Sequence, residues 1–91
     1  MDLPHPTWLR SFEAAARLGS FSAAADELGL TPAAVSQQMR LLEKHLSTTL
    51  FERLSRGVEL TDMGKAYAQP IRKGLDDMQL ATAGLFGKAK R

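Results

Sequence analysis

Residues 31–46 read Thr-Pro-Ala-Ala-Val-Ser-Gln-Gln-Met-Arg-Leu-Leu-Glu-Lys-His-Leu, and this segment predicts one helix with two different faces. Thr31 is a suitable N-cap because its hydroxyl can accept a backbone N–H of the first turn. Pro32 suits the first helical position, where its missing N–H removes no hydrogen bond. An apolar stripe then recurs at helical steps, as expected for a buried face, at Val35, Met39, Leu42 and Leu46.

The opposite face of this helix carries small, polar and cationic side chains at the same steps. They are Ala33, Gln37, Arg40 and Lys44, with the Ser36 hydroxyl beside them. An α-helix fits the major groove of B-form DNA, where Gln pairs with adenine, Arg pairs with guanine and small methyl groups contact thymine. Because most polar helix faces are simply solvated, this face alone leaves both interpretations open.

The residues before Thr31 favour the DNA-binding interpretation. Residues 21–28 carry a short apolar stripe at helical spacing, and residues 29–30, Gly-Leu, leave only a tight turn before the next helix. A helix, a short glycine-containing turn and a second helix form the helix-turn-helix arrangement.

Composition limits the protein to one small domain with a modest core, since the chain has 91 residues and 44% hydrophobic content. The formal charge is only +2, so the pI near 9.3 supports nucleic-acid binding only if the cations are clustered. The absence of cysteine excludes disulfides, thiolate metal sites and cysteine nucleophiles. Without an apolar run of about 18 residues or a secretory segment near Met1, we expect a soluble, cytoplasmic protein.

The N-terminal third predicts two further helices. Residues 1–6 contain two prolines and should form an extended lead-in, followed by an amphipathic helix that ends near Leu18, with Gly19 as a left-handed stop. Ser20 is the expected cap of the second helix. Ser22, in the first turn of that helix, is either a phosphate donor or a solvated serine.

A small β-hairpin, the wing, is expected after the helix-turn-helix. Residues 50–53 and 58–60 are β-tolerant runs, and Gly57 is available for a positive φ in the turn between them. Arg53 and Arg56 lie near the predicted tip, where they are either phosphate or minor-groove contacts or ordinary surface arginines. For Arg53, an intramolecular ion pair with a carboxylate is a further alternative.

The last helix is expected to begin at Thr61 and Asp62, with the hydroxyl as its cap and the carboxylate against the positive helix end. Its apolar stripe comprises Tyr67, Ile71, Leu75, Met78, Ala81 or Thr82, and Leu85. A long helix with a narrow apolar seam is usually half of a helix pair. We expect the seam to have no other surface in its own subunit to bury it, and we therefore predict a homodimer held by residues 62–87. Pro70 should kink this helix, and residues 88–91 should form a frayed tail.

The sequence offers little for catalysis. His5 and His45 lack the spaced carboxylate or second histidine of a metal site or triad, and no glycine-rich phosphate loop is present. We therefore predict no enzyme activity, catalytic residue, metal or cofactor. A protein-interaction scaffold is the remaining alternative, but it would favour Leu, Met or an aromatic residue at positions 33, 37 and 40.

Five motifs follow one another along the chain, namely residues 12–17 (FEAAAR), 19–28 (GSFSAAADEL), 34–43 (AVSQQMRLLE), 50–53 (LFER) and 56–61 (RGVELT). In order and spacing they cover about residues 7–65 and resemble the DNA-binding half of LysR-type transcriptional regulators. The opening is most similar to the branch that contains glycine-cleavage and β-lactamase regulators.

The resemblance implies a mostly α winged helix-turn-helix, with a three-helix core and a short wing, over residues 1–61. It further implies a linker and dimerisation helix with a tail over residues 62–91, and control of bacterial transcription. The partners would be an inverted-repeat operator in double-stranded DNA and a second copy of the chain. The family pattern places six residues in groove-facing turns, Thr31, Pro32, Ala33, Ser36, Gln37 and Arg40, and puts Arg53 and Arg56 on the wing.

The chain departs from the family pattern in two respects. Ser47 stands where the family usually has Gly, so either the serine adopts a strained left-handed cap or the turn has a different shape. Family members also carry a C-terminal domain that binds a small-molecule effector. Since this sequence stops at Arg91, we expect it to be the DNA-binding part of a longer protein.

Overall fold

The computed structural model describes residues 2–89, with side chains described for residues 2–85. In chain order they form helices α1 (Pro6–Leu18), α2 (Phe21–Leu28) and α3 (Pro32–Leu46), strands β1 (Phe51–Arg53) and β2 (Val58–Leu60), and helix α4 (Asp62–Ala89). The two strands form an antiparallel hairpin. This arrangement confirms the winged helix-turn-helix with a long final helix.

Caps set the limits of α2 and α3 where the sequence predicted them. The hydroxyls of Ser20 and Thr31 each accept a backbone N–H three residues ahead, both at 3.1 Å. The start of α1 differs from the prediction, because it begins at Pro6, within the expected lead-in. Nδ1 of His5 accepts the Thr7 N–H at 3.2 Å and so caps this helix. Histidine is not a preferred cap, and the sequence therefore did not indicate this start.

The core lies where α1, α2 and α3 meet the wing. Its fully buried large apolar side chains are Phe12, Val35, Met39, Leu42 and Leu50. Three positions of the predicted α3 stripe are thus completely buried, while Leu46 is half-buried. Phe51 closes the core on the wing side, with its ring 5.6 Å from Phe12 and 5.2 Å from Phe21.

Backbone hydrogen bonds fix the wing to the helices. The N–H groups of Leu50 and Phe51 donate to the Glu43 carboxylate at 2.7 and 3.2 Å. The Val58 N–H donates to the Gly19 carbonyl at 3.1 Å. Gly57 adopts φ 77°, as the hairpin requires, and a Cβ there would lie 2.6 Å from the same Gly19 oxygen. The wing therefore has a defined position against α1 and α3.

Ser47 takes the strained alternative in the turn that leads from α3 to the wing. It ends α3 in the left-handed region, with φ 54° and ψ 40°. Its N–H donates to the Lys44 carbonyl at 3.2 Å, and the Thr48 N–H donates to Glu43 at 3.1 Å. The turn thus keeps the hydrogen bonds of a glycine C-cap without the glycine.

Helix α4 begins as predicted, with the Thr61 hydroxyl accepting the Gly64 N–H at 3.1 Å. Its first turns belong to the core, because Tyr67 and Ile71 are half-buried against it. This burial also raises the pKa of the Tyr67 phenol. The expectation that the apolar seam finds no surface in its own subunit is therefore wrong at Tyr67 and Ile71.

The later turns of α4 are different. Leu75 is half-buried, whereas Met78 and Leu85 are 60% and 70% exposed. Pro70 lies inside α4 without ending it, and the kink expected there stays a prediction. Of the expected tail at residues 88–91, the first two positions are helical, and Lys90 and Arg91 lie outside the described residues.

Candidate nucleic-acid interface

The polar face of α3 is exposed, and its longer side chains have no partner among the described residues. Ala33, Gln37, Arg40 and Lys44 are all exposed, opposite the fully buried Val35, Met39 and Leu42. Within residues 2–85, no hydrogen bond or ion pair engages the side chains of Gln37, Arg40 or Lys44. Two donors of different geometry and an ammonium group are thus free to bind a ligand along one helix face.

The start of α3 is also accessible. Thr31 and Pro32 are exposed and lie six and five residues before Gln37, which is between one and two helical turns. The Thr31 hydroxyl already accepts the Ala34 N–H as a cap, but its own proton is free to donate. Five of the six residues predicted for the groove-facing turns are therefore exposed.

Ser36 is the exception among them, because it is half-buried and already bonded. Its hydroxyl accepts a hydrogen bond from Nη1 of Arg53 at 3.2 Å. The Arg53 guanidinium carbon also lies 5.1 Å from the centre of the Phe21 ring. The sequence predicted Arg53 near the wing tip. In the structure it is the last residue of β1, and its side chain turns toward α2 and α3. Among the described residues it has no carboxylate within ion-pair distance.

Arg56 lies in the turn of the wing, exposed and without a hydrogen bond to another described residue. Ser22 is exposed at the start of α2. Ser22 and Arg53 line one shallow concavity between α2 and the wing, of about 320 Å³, which also includes Leu54 and Gly57. The structure thus brings Ser22 and Arg53 together and leaves Arg56 outside this concavity.

Charge is distributed unevenly over the wing. Glu52 and Glu59 are directly opposite each other in the hairpin and both are exposed. Since side chains alternate along a strand, they lie on the face opposite Phe51 and Arg53. The acidic groups of the strands are therefore separated from the arginine that faces α2 and α3.

Two supporting contacts were not predicted from the sequence. The hydroxyl of Ser11, which is fully buried, donates to Oε1 of Gln38 and joins α1 to α3. Glu43 receives the two N–H groups that anchor β1. Gln38 and Glu43 lie on α3 among exposed polar neighbours, and a sequence pattern does not distinguish a bonded polar side chain from a solvated one.

On the other side of the domain, Arg17 joins α1 to α2. It donates to Glu13 at 2.9 Å and to Glu27 at 3.1 Å. These hydrogen bonds lower the pKa of the Glu27 carboxyl and raise that of Arg17, since each favours the charged form. Arg17 and Glu27 line an open groove of about 600 Å³ beside α4, together with Leu75 and Met78. The predicted dimerisation seam thus borders this groove, away from the exposed face of α3.

The histidines have structural contacts. Nε2 of His45 lies 2.9 Å from the Asp2 carbonyl, and its ring meets the Trp8 ring edge-on at 6.3 Å. Among the described residues, no group of three His, Cys, Asp or Glu side chains is placed to hold a metal ion. None of the described helices combines the length and apolar character needed to span a membrane.

Comparison with known proteins places this architecture in context. Residues 6–65 match the family described as "Bacterial regulatory helix-turn-helix protein, lysR family". The chain is 52% identical over 84 residues to the glycine cleavage system transcriptional activator homolog of Haemophilus influenzae, covering 92% of this chain and 28% of that protein. It is 59% identical over 63 residues to the HTH-type transcriptional regulator TrpI of Pseudomonas aeruginosa, covering 69% of this chain and 21% of that protein.

Among solved structures, the crystal structure of the CbnR_DBD–DNA complex matches with a TM-score of 0.82 and 31% identity. The match covers 94% of this chain and 99% of that one. The likeness therefore extends over nearly the whole chain at the level of structure, whereas the chain spans about a quarter of the length of the curated relatives.

Proposed function

Since the chain belongs to the LysR family of bacterial regulatory helix-turn-helix proteins, we propose that it binds double-stranded DNA sequence-specifically as the DNA-binding part of a transcriptional regulator. One observation carries the proposal. Gln37 and Arg40 are exposed opposite a fully buried stripe of α3, and their side chains make no hydrogen bond to any described residue. The structural likeness to a domain solved with DNA supports it.

In this proposal α3 lies in the major groove. Gln37 lies between one and two turns into the helix and Arg40 about one turn further, where side chains reach base edges, and both form bidentate pairs with purines. Ala33 is small enough to meet a thymine methyl. Lys44 is a further turn along and contacts the phosphate backbone.

The surrounding residues bind the backbone of the same site. Arg53 and Arg56 on the wing and Ser22 on α2 contact phosphate or the minor groove, and Thr31, Pro32 and Ser36 border the groove. Phosphate contacts fix the position of the protein on the duplex, whereas base contacts supply the sequence preference.

We further propose that two copies pair through Leu75, Met78 and Leu85 of residues 62–91, with residues 1–61 as the DNA-binding unit. The pair would place two α3 helices about one turn of DNA apart, roughly 34 Å, on an inverted repeat. A bacterial regulator of transcription acts where the chromosome is, which is the cytoplasm. No effector-binding role is proposed for these 91 residues.

A protein-interaction scaffold is the competing class. It is disfavoured because positions 33, 37 and 40 carry Ala, Gln and Arg, where a protein-binding face would carry large apolar residues. No catalytic role is proposed, and none of the contacts described above requires a cofactor.

Selection from a random-sequence duplex library, followed by gel-shift titration, tests the function. We expect one enriched inverted repeat, bound at least a thousandfold more tightly than unselected DNA. Enrichment of no sequence, with equally weak binding to all duplexes, would contradict the proposal and favour the scaffold.

A further inference from the structure

We propose that Ser36 and Phe21 are positioning residues that hold the Arg53 guanidinium ready for a DNA phosphate. The inference rests on the proposed function and specifies how one cation of the interface is presented. It also gives Ser36 a different role from its neighbour Gln37, because Ser36 acts on DNA through Arg53.

Two contacts from different helices define the position of the Arg53 guanidinium. Nη1 donates to the hydroxyl of Ser36 on α3 at 3.2 Å. The central carbon lies 5.1 Å from the centre of the Phe21 ring on α2, within the range of a cation–π interaction. One contact fixes an edge of the group and the other fixes its distance from the aromatic ring, so a long side chain is ordered before DNA arrives.

The wing imposes this orientation. Arg53 pairs with Val58 at the end of the hairpin and lies on the same strand face as the buried Phe51. That face turns toward the helices. Arg56, three residues later in the turn, makes no hydrogen bond to a described residue. The two wing arginines thus have the same charge but different degrees of order.

The ordered guanidinium remains able to bind. It has five N–H donors, and the hydrogen bond to Ser36 occupies one of them. Arg53 is exposed, and it lines the concavity shared with Ser22. A phosphate oxygen entering there would accept the remaining donors with the geometry that arginine favours. Prior ordering strengthens such binding, because immobilising a long side chain at an interface weakens association by about two- to tenfold.

A double-mutant cycle on Ser36 and Arg53 tests the inference, using the parent 91-residue chain and the duplex selected by it. Ser36→Ala should weaken binding about two- to tenfold and leave the salt dependence unchanged, because the cation is still present. Arg53→Ala should weaken binding and lower the salt slope by about one. In the Arg53→Ala background, Ser36→Ala should have no further effect. Ser36→Thr, which keeps the hydroxyl, should restore parental affinity.

Arg56 supplies the matched control. Arg56→Ala should also lower the salt slope by about one, but Ser36→Ala should keep its full effect in that background. Phe21→Leu provides an independent second variant, since it retains an apolar side chain and removes the aromatic face. Its effect on affinity should likewise disappear when Arg53 is absent. Thermal unfolding of each variant establishes that the folded protein is being compared.

The outcomes separate this inference from the proposed function. If Ser36→Ala weakens binding equally with and without Arg53, Ser36 contacts DNA by itself and the positioning role is overturned while the function stands. An unchanged affinity of Ser36→Ala overturns it as well. If the parent selects no duplex, the proposed function fails and this inference fails with it.

Discussion

The ring of Tyr67 lies 5.4 Å from the ring of Phe12, and this contact divides α4 into a docked first part and a projecting second part. In the second part Met78, Leu80 and Leu85 are at least 60% exposed. Residues 78–87 also contain no charged side chain. Exposed apolar residues on a helix without neighbouring charges are better suited to a partner than to water. The proposed pairing surface therefore begins at Leu75, since Tyr67 and Ile71 already pack against the core of their own chain.

Changing Leu75 and Met78 together to Asp should convert a dimer into a monomer, because the carboxylates would be buried without partners in the seam. Sedimentation equilibrium measures the change, and binding to the selected duplex should weaken at least tenfold as the two half-sites lose their linkage. Met63→Asp is the control, since Met63 is similarly exposed, at 58%, but lies in the first turn of the same helix. A doubly changed protein that remains dimeric would show that residues other than these hold the pair.

Ser47→Gly should stabilise the domain. A residue with a Cβ is strained in the left-handed region by about 1 kcal/mol, and glycine removes that strain. The greater freedom of glycine in the unfolded chain offsets part of this, so we expect a net gain of about 0.5 kcal/mol. Urea unfolding measures it as a higher midpoint with the same slope. Ser55→Gly is the control. Ser47 is the only non-glycine residue with positive φ in the described chain, so glycine at position 55 relieves no such strain and should not raise the midpoint. If the midpoint falls for both variants, the Ser47 side chain stabilises the folded protein by more than its left-handed backbone destabilises it.

Local signals account for what the sequence predicted, and contacts between distant elements account for what it did not. Thr31 and Ser20 cap their helices through hydrogen bonds to the following turn, so both starts were visible in the sequence. The spacing of Val35 and Met39 likewise fixed the buried face of α3. The direction of Arg53 depends on a serine 17 residues earlier and on the docking of the wing. Tyr67 was assigned to a dimer seam because helical spacing cannot show which of two apolar surfaces a stripe contacts.

The pair formed by Arg17 and Glu27 should make stability depend on pH in the acid range. The hydrogen bond from Arg17 lowers the pKa of Glu27 in the folded protein. The stabilisation is therefore present above the unfolded-state pKa, about 4.3, and is lost as the pH falls through the lower folded-state value. Glu27→Gln should melt below the parent at pH 7, and the difference should shrink at pH 3.

Asp26→Asn is the matched control for this pair. Asp26 is the preceding residue of α2 and is exposed, and it has no ion pair among the described residues. Its replacement should leave the melting temperature nearly unchanged at both pH values. If the difference between Glu27→Gln and the parent is the same at pH 7 and pH 3, the ion pair does not contribute to stability through its charge.

Gln37 and Gln38 are adjacent glutamines whose side chains have different surroundings in the structure. Gln37 is exposed on the polar face, whereas Oε1 of Gln38 accepts the hydroxyl proton of the fully buried Ser11. Gln38→Ala should therefore reduce the free energy of unfolding by about 1 kcal/mol or more, because it leaves a buried hydroxyl unpaired. It should not alter which bases are preferred.

Gln37→Ala should change the base preference and leave the stability nearly unchanged. It removes no hydrogen bond to a described residue, so the free energy of unfolding should change by no more than about 0.5 kcal/mol. A bidentate pair with a base contributes about 1–3 kcal/mol of discrimination, and this should be lost on the selected duplex. Repeating the library selection with each variant should relax the preference at one base pair per half-site for Gln37→Ala and at none for Gln38→Ala, with non-specific affinity nearly unchanged. If the sequences recovered with Gln37→Ala match the parent at every position, Gln37 is only solvated on this face, and the base contacts of α3 must come from Arg40 and its other neighbours.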